Sequence, residues 1–254
     1  MIVQKILQQA KPYLKQKKVL DVLIGLELMV VQLDDGSIGL SYVLTDRLKG
    51  QCKSLSECGH FKNMPAFELA KWSLCQQNDI RSGLGLAVVN SVAHNNYRKD
   101  NKKPLDAGNV FSPSENDTVG FIGLIKPLIN KIKPEVKKVI VFDQGKEDFY
   151  KEIYSTQEQA YYLPHCDIVY ISGSTLINHS IDDLLKLCYS AREVIIVGLS
   201  TSLYPLVFFD SPVTYLAGMY WHPENAKEIF ERVGQAAGMI HITHYGKKIT
   251  LKIK

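Results

Sequence analysis

The chain has 254 residues, of which 46% are hydrophobic and 22% charged, so it can bury the core of one large domain or of two modest ones. Lysine and arginine (30) exceed aspartate and glutamate (26) by too little to indicate nucleic-acid binding. Five irregularly spaced cysteines do not form the even set typical of a disulfide framework, which favours a reducing compartment.

Membrane and secretion signals are missing from the sequence pattern. No stretch approaches the roughly 18–20 apolar residues that a membrane span requires. Residues 1–18 lack the continuous apolar core of a signal peptide. We therefore expect a cytoplasmic protein with neither a membrane nor a nucleic-acid partner.

The first half of the chain has the patterns of an α+β domain. Apolar residues recur every three or four positions from Ile2 to Leu14, which predicts an amphipathic helix. A single strand is predicted over residues 19–33, with Glu27 inside it as a solvent-facing or cross-strand-paired carboxylate. Asp and Gly at residues 34–37 are typical of the tight turn of a hairpin.

Two helices are predicted next, beginning near Asn63 and near Asp79. The second contains Gly83 and Gly85, which cost roughly 1 kcal/mol each relative to alanine and so predict the close approach of another backbone or of a ligand. Asn90 lies in the apolar part of this helix and needs a hydrogen-bond partner, either a neighbouring loop or a ligand. The polar segment 95–116 is the best boundary, which predicts domains at residues 1–112 and 113–254.

Strands and helices alternate in the second half. Apolar strands are predicted at residues 119–123, 139–143, 168–173, 194–198 and 213–218, and helices at residues 127–133, 157–162, 180–191 and 223–233. Continuous apolar strands alternating with helices are typical of a parallel sheet covered on both faces. Lysines alternate with apolar residues at the end of the chain, which predicts an edge strand. The predicted fold class is α/β, with an N-terminal α+β domain followed by a Rossmann-like parallel-sheet domain.

Small and polar residues follow the predicted strands at their carboxyl ends, where open α/β sheets bind ligands. These residues are Gly120, Gly123, Asp143, Ser172, Gly173, Ser174, Thr175, Asn178, Gly198, Ser200, Thr201 and Ser202. Each group alone is also explained by tight turns and helix caps. Their convergence at one edge predicts a pocket for a small polar ligand.

Two other chemistries are open. Asp143 follows Gly120 at close to the spacing of about 20 residues that separates the glycine motif of a dinucleotide-binding site from the acid that binds the ribose. The alternative function is therefore that of an enzyme using NAD(P) or S-adenosylmethionine. The full glycine motif of such sites is lacking. Thiol and imidazole groups occur at Cys52, Cys58, His60, His165 and Cys166. They lack the close CxxC pair of a typical zinc site, which favours free cysteines.

Four segments, in this order, resemble a prokaryotic family associated with heavy-metal chelation. They are Gly-Leu-Ala-Val-Val-Asn at residues 85–90, Val-Gly-Phe-Ile-Gly at 119–123, the run Asp-Ile-Val-Tyr-Ile-Ser-Gly-Ser-Thr-Leu-Ile-Asn at 167–178, and Leu-Ala-Gly at 216–218. The resemblance covers nearly the whole chain and implies an N-terminal domain like the small domain of enolase, a Rossmann-like second domain, and a site between them. The chain departs from the family pattern at residues 26–27 and 198–202.

The resemblance also implies which residues and partners to expect. It implicates Asn90 from the first domain, with Ser174, Thr175, Asn178, Ser200 and Thr201 from the second. The expected partner is a small polar ligand or a transition or heavy metal ion. A homodimer and a catalysed reaction are both left open.

Overall fold

The structure is a computed structural model that describes residues 1–48, 55–97, 112–146 and 152–254. Its first part has one helix, a three-stranded antiparallel sheet in the order β1-β2-β3, and two further helices. The elements are α1 (Ile2–Leu14), β1 (Val19–Ile24), β2 (Leu28–Leu33), β3 (Ile38–Tyr42), α2 (Ala66–Ala70) and α3 (Asp79–Ser91). The predicted hairpin turn at residues 34–37 is confirmed, because β2 and β3 pair on either side of it.

The single strand predicted over residues 19–33 is wrong. A turn divides it, closed by the hydrogen bond that Gly25 N donates to Leu28 O over 2.8 Å. The two halves pair with each other as antiparallel strands β1 and β2. Glu27 therefore lies in a turn and not within a strand.

The second part is a seven-stranded sheet in the order β10-β9-β8-β7-β4-β5-β6. Its strands are β4 (Thr118–Ile122), β5 (Lys138–Phe142), β6 (Ile153–Tyr154), β7 (Ile168–Ser172), β8 (Glu193–Val197), β9 (Tyr215–Trp221) and β10 (Gly246–Lys252). Its helices are α4 (Lys126–Ile132), α5 (Gln159–Tyr162), α6 (Ile181–Leu187) and α7 (Ala226–Gly234). Neighbouring strands are parallel except β10, which is antiparallel to β9 and forms the predicted lysine-rich edge. The predicted α/β fold class is confirmed.

Burial on both faces explains the continuous apolar strands. In β7, Ile168 and Tyr170 contribute to one hydrophobic cluster, while Val169 and Ile171 contribute to another on the opposite face. Such a strand has no polar face, so its sequence shows no alternation. Strand β9 begins two residues later than predicted because residues 213–214 belong to the preceding connection.

The last helix of the chain connects the two parts. Helix α7 packs on β1 and β2 of the first sheet, and its Ile229 and Val233 share a cluster with Leu28 and Val30 of β2. Met29 and the other residues on the opposite face of β2 pack in the cluster that contains α1 and α3. The first sheet is thus covered on one face by residues from the far end of the chain. The predicted domain boundary falls largely within residues 98–111, outside the described part of the chain.

Close backbone packing surrounds helix α3. A Cβ atom added at Gly85 would lie 2.0 Å from Ser73 N, and one added at Gly39 of β3 would lie 1.9 Å from Ala87 O. At Gly83 the added atom would meet the side chain of Met29 at 2.1 Å. The close approach predicted for the helix glycines is therefore made by the protein itself.

An ion pair between buried Asp117 and half-exposed Arg192 joins the starts of β4 and β8. Arg192 donates from Nη1 to Asp117 Oδ1 over 2.7 Å and from Nη2 to Asp117 Oδ2 over 2.5 Å, and Asp117 is only 4% exposed. The Arg192 guanidinium holds the pKa of Asp117 below its ordinary value. The pair therefore stabilises the fold above the unfolded pKa of about 4, and this contribution is lost as the pH falls through the lower folded pKa.

Asp117→Asn is expected to lower the free energy of unfolding by about 2 kcal/mol at pH 7, because a charge-assisted two-pronged hydrogen bond is lost. Urea unfolding at pH 7 and pH 3 measures this difference, which should shrink at the lower pH. Asp183→Asn is the control, because its ion pair with Lys186 is exposed and such pairs contribute roughly 0–1 kcal/mol. Equal losses for the two variants would contradict the prediction.

No helix in the described ranges is long and apolar enough to cross a membrane.

Candidate functional site

The strand order places a topological switch point between β4 and β7. The chain continues from β4 to β5 on one side and later returns to β7 on the other. Open α/β sheets bind ligands in the crevice outside the carboxyl ends of strands at such a point. Gly123 directly follows β4 with φ of +101°, and a Cβ atom there would lie 3.0 Å from Ser172 Cβ at the end of β7. Glycine thus keeps the crevice between the two strand ends open.

A cavity of about 1310 Å³ lies over this crevice. Its walls are the carboxyl edge of the parallel sheet, Glu27 and residues 42–47 of the first part, and Met239, Ile240 and Thr243 near the end of the chain. It is larger than the roughly 300–1,000 Å³ typical of small-molecule pockets. It can therefore hold a small organic ligand together with water or a bound ion.

Hydroxyl and amide groups after β7 form the centre of the cavity wall. Ser172 Oγ and Ser174 Oγ lie 2.7 Å apart, and Thr175 Oγ1 donates to Ser172 O over 2.8 Å. Asn178 Oδ1 accepts hydrogen bonds from Ser180 N and Oγ at 3.1 and 2.8 Å. Within the described part of the chain nothing accepts from Asn178 Nδ2, so this donor is available to a ligand in the cavity.

The carboxylate of Asp143 stabilises the turn after β4. It accepts hydrogen bonds from Leu124 N over 2.7 Å and from Gly145 N over 3.3 Å. The N–H groups of Gly123 and Ile125 donate to Phe142 O and Gly123 O. The backbone donors that a dinucleotide phosphate would use are thus engaged within the protein, as is the carboxylate that would take the ribose. This geometry favours a structural role for Asp143.

Asn90 connects the two parts of the molecule. Its Oδ1 accepts from Ser202 Oγ over 2.6 Å, and its Nδ2 donates to Leu40 O over 3.2 Å and to Ser200 O over 3.5 Å. Tyr42 N donates to Ser200 Oγ over 2.9 Å beside this network. Asn90 and Ser200, predicted as ligand contacts, therefore link α3 and β3 to the loop after β8 and are not part of the cavity wall.

The other predicted residues divide in the same way. The cavity wall includes Gly123, Ser172, Ser174, Thr175, Asn178 and Gly198. Gly120 lies inside β4, where an added Cβ atom would be 3.0 Å from Cys166 Sγ. Gly173 packs on the backbone of Thr201, which is 3% exposed and has its Oγ1 buried without a partner among the described residues. Gly120, Gly173 and Thr201 therefore do not line the cavity.

The predicted metal ligands are not brought together. Cys58 and His60 are exposed in the segment before α2, whereas His165 and Cys166 precede β7 at the amino edge of the sheet, opposite the cavity. Burial raises the pKa of Cys166 to about 11, and its Sγ donates to Tyr162 O over 3.4 Å, so the thiol is engaged within the protein. Cys52 lies outside the described residues.

The described ranges contain no group of three or more histidine, cysteine, aspartate or glutamate side chains that could hold a metal ion. Soft heavy-metal ions favour thiolates and imidazoles. The described side chains therefore do not fit direct coordination of such an ion in the cavity.

Sequence reasoning missed the contribution of the first part of the chain to the cavity. Glu27 lines it from the turn between β1 and β2, and Tyr42 lines it from the end of β3. Burial, reinforced by the nearby Glu27 carboxylate, raises the pKa of Tyr42 to about 12. The Tyr42 hydroxyl donates to Met239 Sδ over 3.4 Å, which joins β3 to the segment after α7. The glycine at position 25, inside an apolar run, was the available signal for the turn that places Glu27 here.

Comparisons with known proteins agree with this architecture. Two family models, both described as "Putative heavy-metal chelation", match the chain: DUF364 over residues 106–252 and DUF4213 over residues 7–93. An uncharacterized protein of Methanocaldococcus jannaschii is 25% identical over 228 residues, which cover 85% of each protein.

Two crystal structures of DUF364 proteins of unknown function are similar to the whole chain. The protein from Pyrococcus horikoshii has a TM-score of 0.85 at 21% identity and covers 99% of this chain and 100% of its own. The protein from Desulfitobacterium hafniense has a TM-score of 0.79 at 21% identity and covers 98% of both chains. At this identity the likeness shows the fold, while the family models show the relationship. The chain belongs to the DUF364 family, whose description is "Putative heavy-metal chelation".

Proposed function

We propose that the protein binds a small polar anion in the cavity between its two parts, and that a heavy metal reaches this cavity as a complex of that anion. The observation that carries the proposal is the row of hydroxyl and amide groups at Ser172, Ser174 and Asn178, placed at the topological switch point beside basic side chains. Convergent donors in a large crevice at this position are typical of a ligand site in an α/β sheet.

The chemistry of the wall favours a complexed metal over a free ion. Hydroxyl, amide and ammonium groups donate hydrogen bonds, and carboxylate or phosphate oxygens are their natural acceptors. The same anionic oxygens can hold a metal ion on their other side. The protein thus contacts the anion that chelates the metal, and the metal ion is bound only through that anion.

Asn178→Asp tests this proposal with little change in shape. The variant keeps the Oδ1 acceptor for Ser180 but replaces the available N–H donor with a second carboxylate oxygen. We expect it to weaken the binding of citrate and of zinc citrate at least tenfold, because a donor of about 1.5–3 kcal/mol to a charged group is lost and replaced by repulsion. Isothermal titration calorimetry with each probe measures the change.

Asn116→Asp is the matched control. Asn116 is exposed beside the start of β4, at the sheet edge opposite the cavity, so the same charge change should leave the affinity for citrate unaltered. Zinc sulfate alone is titrated in parallel. The proposal would be overturned if Asn178→Asp bound citrate with unchanged affinity. It would also be overturned if zinc without citrate bound more tightly than zinc citrate. Stabilisation by NAD(P) or S-adenosylmethionine that Asp143→Ala abolishes would favour an enzyme instead.

A further inference from the structure

The strand order arranges the cavity residues along a line. The strands that end at the cavity follow one another as β9, β8, β7, β4 and β5. Neighbouring strands lie about 4.8 Å apart, so the ends of β9 and β5 are separated by roughly 19 Å. A ligand in this cavity therefore meets different chemistry at different distances from the switch point.

The end of the cavity near β4 and β5 is basic. Four cationic side chains line this basic end, accompanied by the carboxylates of Asp46 and Asp143; the cations are Arg47, Lys126, Lys131 and Lys146. Arg47 pairs with Asp79 at 2.7 Å and Lys146 with Asp143 at 3.5 Å. Within the described part of the chain, the four cations outnumber the carboxylates of Asp46 and Asp143 that line the same end, which suits a phosphate or carboxylate group.

Most of the apolar side chains that line the cavity lie at its end near β8 and β9. This apolar end also includes Glu27, Thr243, Lys248 and Thr250, and its apolar and aromatic side chains are Tyr42, Val197, Ala217, Met219, Met239 and Ile240. Ile240 is 78% exposed, although large apolar side chains in folded proteins are usually covered. The two flexible thioether side chains can adapt to the shape of an apolar group.

We propose that the ligand is an elongated amphiphilic anion, with a phosphate or carboxylate at the basic end and an apolar portion at the apolar end. The hydroxyl and amide groups after β7 lie between the two ends and hydrogen-bond the polar part next to the anionic group. This inference rests on the proposed function and specifies the chemical class of the ligand. The apolar portion removes the exposed side chain of Ile240 from water.

Octyl phosphate, inorganic phosphate and octanol test the inference by calorimetric titration of the intact protein. Octyl phosphate carries both groups and is expected to bind at least tenfold more tightly than either of the other two. The double variant Lys126→Gln, Lys131→Gln should weaken octyl phosphate binding at least fivefold. Ile240→Ser should weaken it at least threefold.

Each variant has a control of equal chemistry. The double variant Lys137→Gln, Lys227→Gln removes the same charge from exposed positions outside the cavity, and Leu206→Ser changes an apolar side chain that is 74% exposed elsewhere. Both controls should keep the parental affinity for octyl phosphate. A similar loss in the controls would show binding to the general surface and would overturn the inference.

The remaining outcomes separate this inference from the proposed function. If inorganic phosphate bound as tightly as octyl phosphate, the apolar end would have no role in binding. If octanol bound as tightly as octyl phosphate, the basic end would have none. Failure of octyl phosphate to bind, with citrate binding still sensitive to Asn178→Asp, would overturn the inference and leave the proposed function intact. Failure of both probes would overturn both.

Discussion

Gly39→Ala is expected to reduce the free energy of unfolding by at least about 3 kcal/mol, or to prevent folding altogether. The new Cβ atom would lie 1.9 Å from Ala87 O and 2.5 Å from Ser91 N, both backbone atoms of helix α3. A rotamer change cannot relieve this contact, so α3 and β3 would have to separate. The two elements make one of the most extensive contacts in the structure, and their separation would also disturb the cavity wall at Tyr42.

Gly234→Ala is the matched control for this prediction. An added Cβ atom at Gly234 would meet only Leu23 Cδ2, at an ordinary distance of 3.5 Å. Alanine at the end of helix α7 should be neutral or stabilise the protein by up to about 1 kcal/mol. Urea unfolding followed by circular dichroism compares the two variants with the parent. A stable, cooperatively folding Gly39→Ala protein would contradict the packing described for α3.

Asn90→Leu is expected to destabilise the protein by roughly 3 kcal/mol while leaving citrate affinity within about twofold of the parent. The substitution leaves the buried Ser202 hydroxyl without its acceptor, and Leu40 O and Ser200 O without the amide donor. Each buried polar group that loses its partner costs about 1–3 kcal/mol, and partial relaxation limits the sum. Ligand affinity is retained because Asn90 is not part of the cavity wall.

A double-mutant cycle with Ser202→Ala identifies the source of the loss. The two side chains share one hydrogen bond of 2.6 Å, so the double variant should be more stable than the sum of the single effects predicts, by about 1 kcal/mol. In parallel titrations, Asn90→Leu is expected to lose stability, whereas Asn178→Asp is expected to lose affinity for citrate. A large loss of citrate affinity in Asn90→Leu would restore the ligand-binding role predicted from the sequence.

The sequence by itself determined the fold class and the edge of the sheet at which polar groups collect. Strands buried on both faces appear as continuous apolar runs, and parallel strands place all their carboxyl ends on one side. Ser172, Ser174 and Asn178 could therefore be placed together before their contacts were known. The same continuity concealed the turn before Leu28, because a strand covered on both faces lacks the alternation that marks where it begins.

Only the tertiary structure decided which polar residues face the cavity and which hold its wall. Asn90 and Asn178 are the same residue type near glycine and hydroxyl groups, yet one has its donors and acceptor engaged by the protein and the other has a donor available. That difference depends on contacts between segments far apart in the chain, as does the entry of Glu27 into the cavity. Local patterns report propensity and burial along one segment. They contain no information about which distant backbone group forms a hydrogen bond with a given side chain. Those hydrogen bonds decide whether a polar side chain supports the structure or binds a ligand.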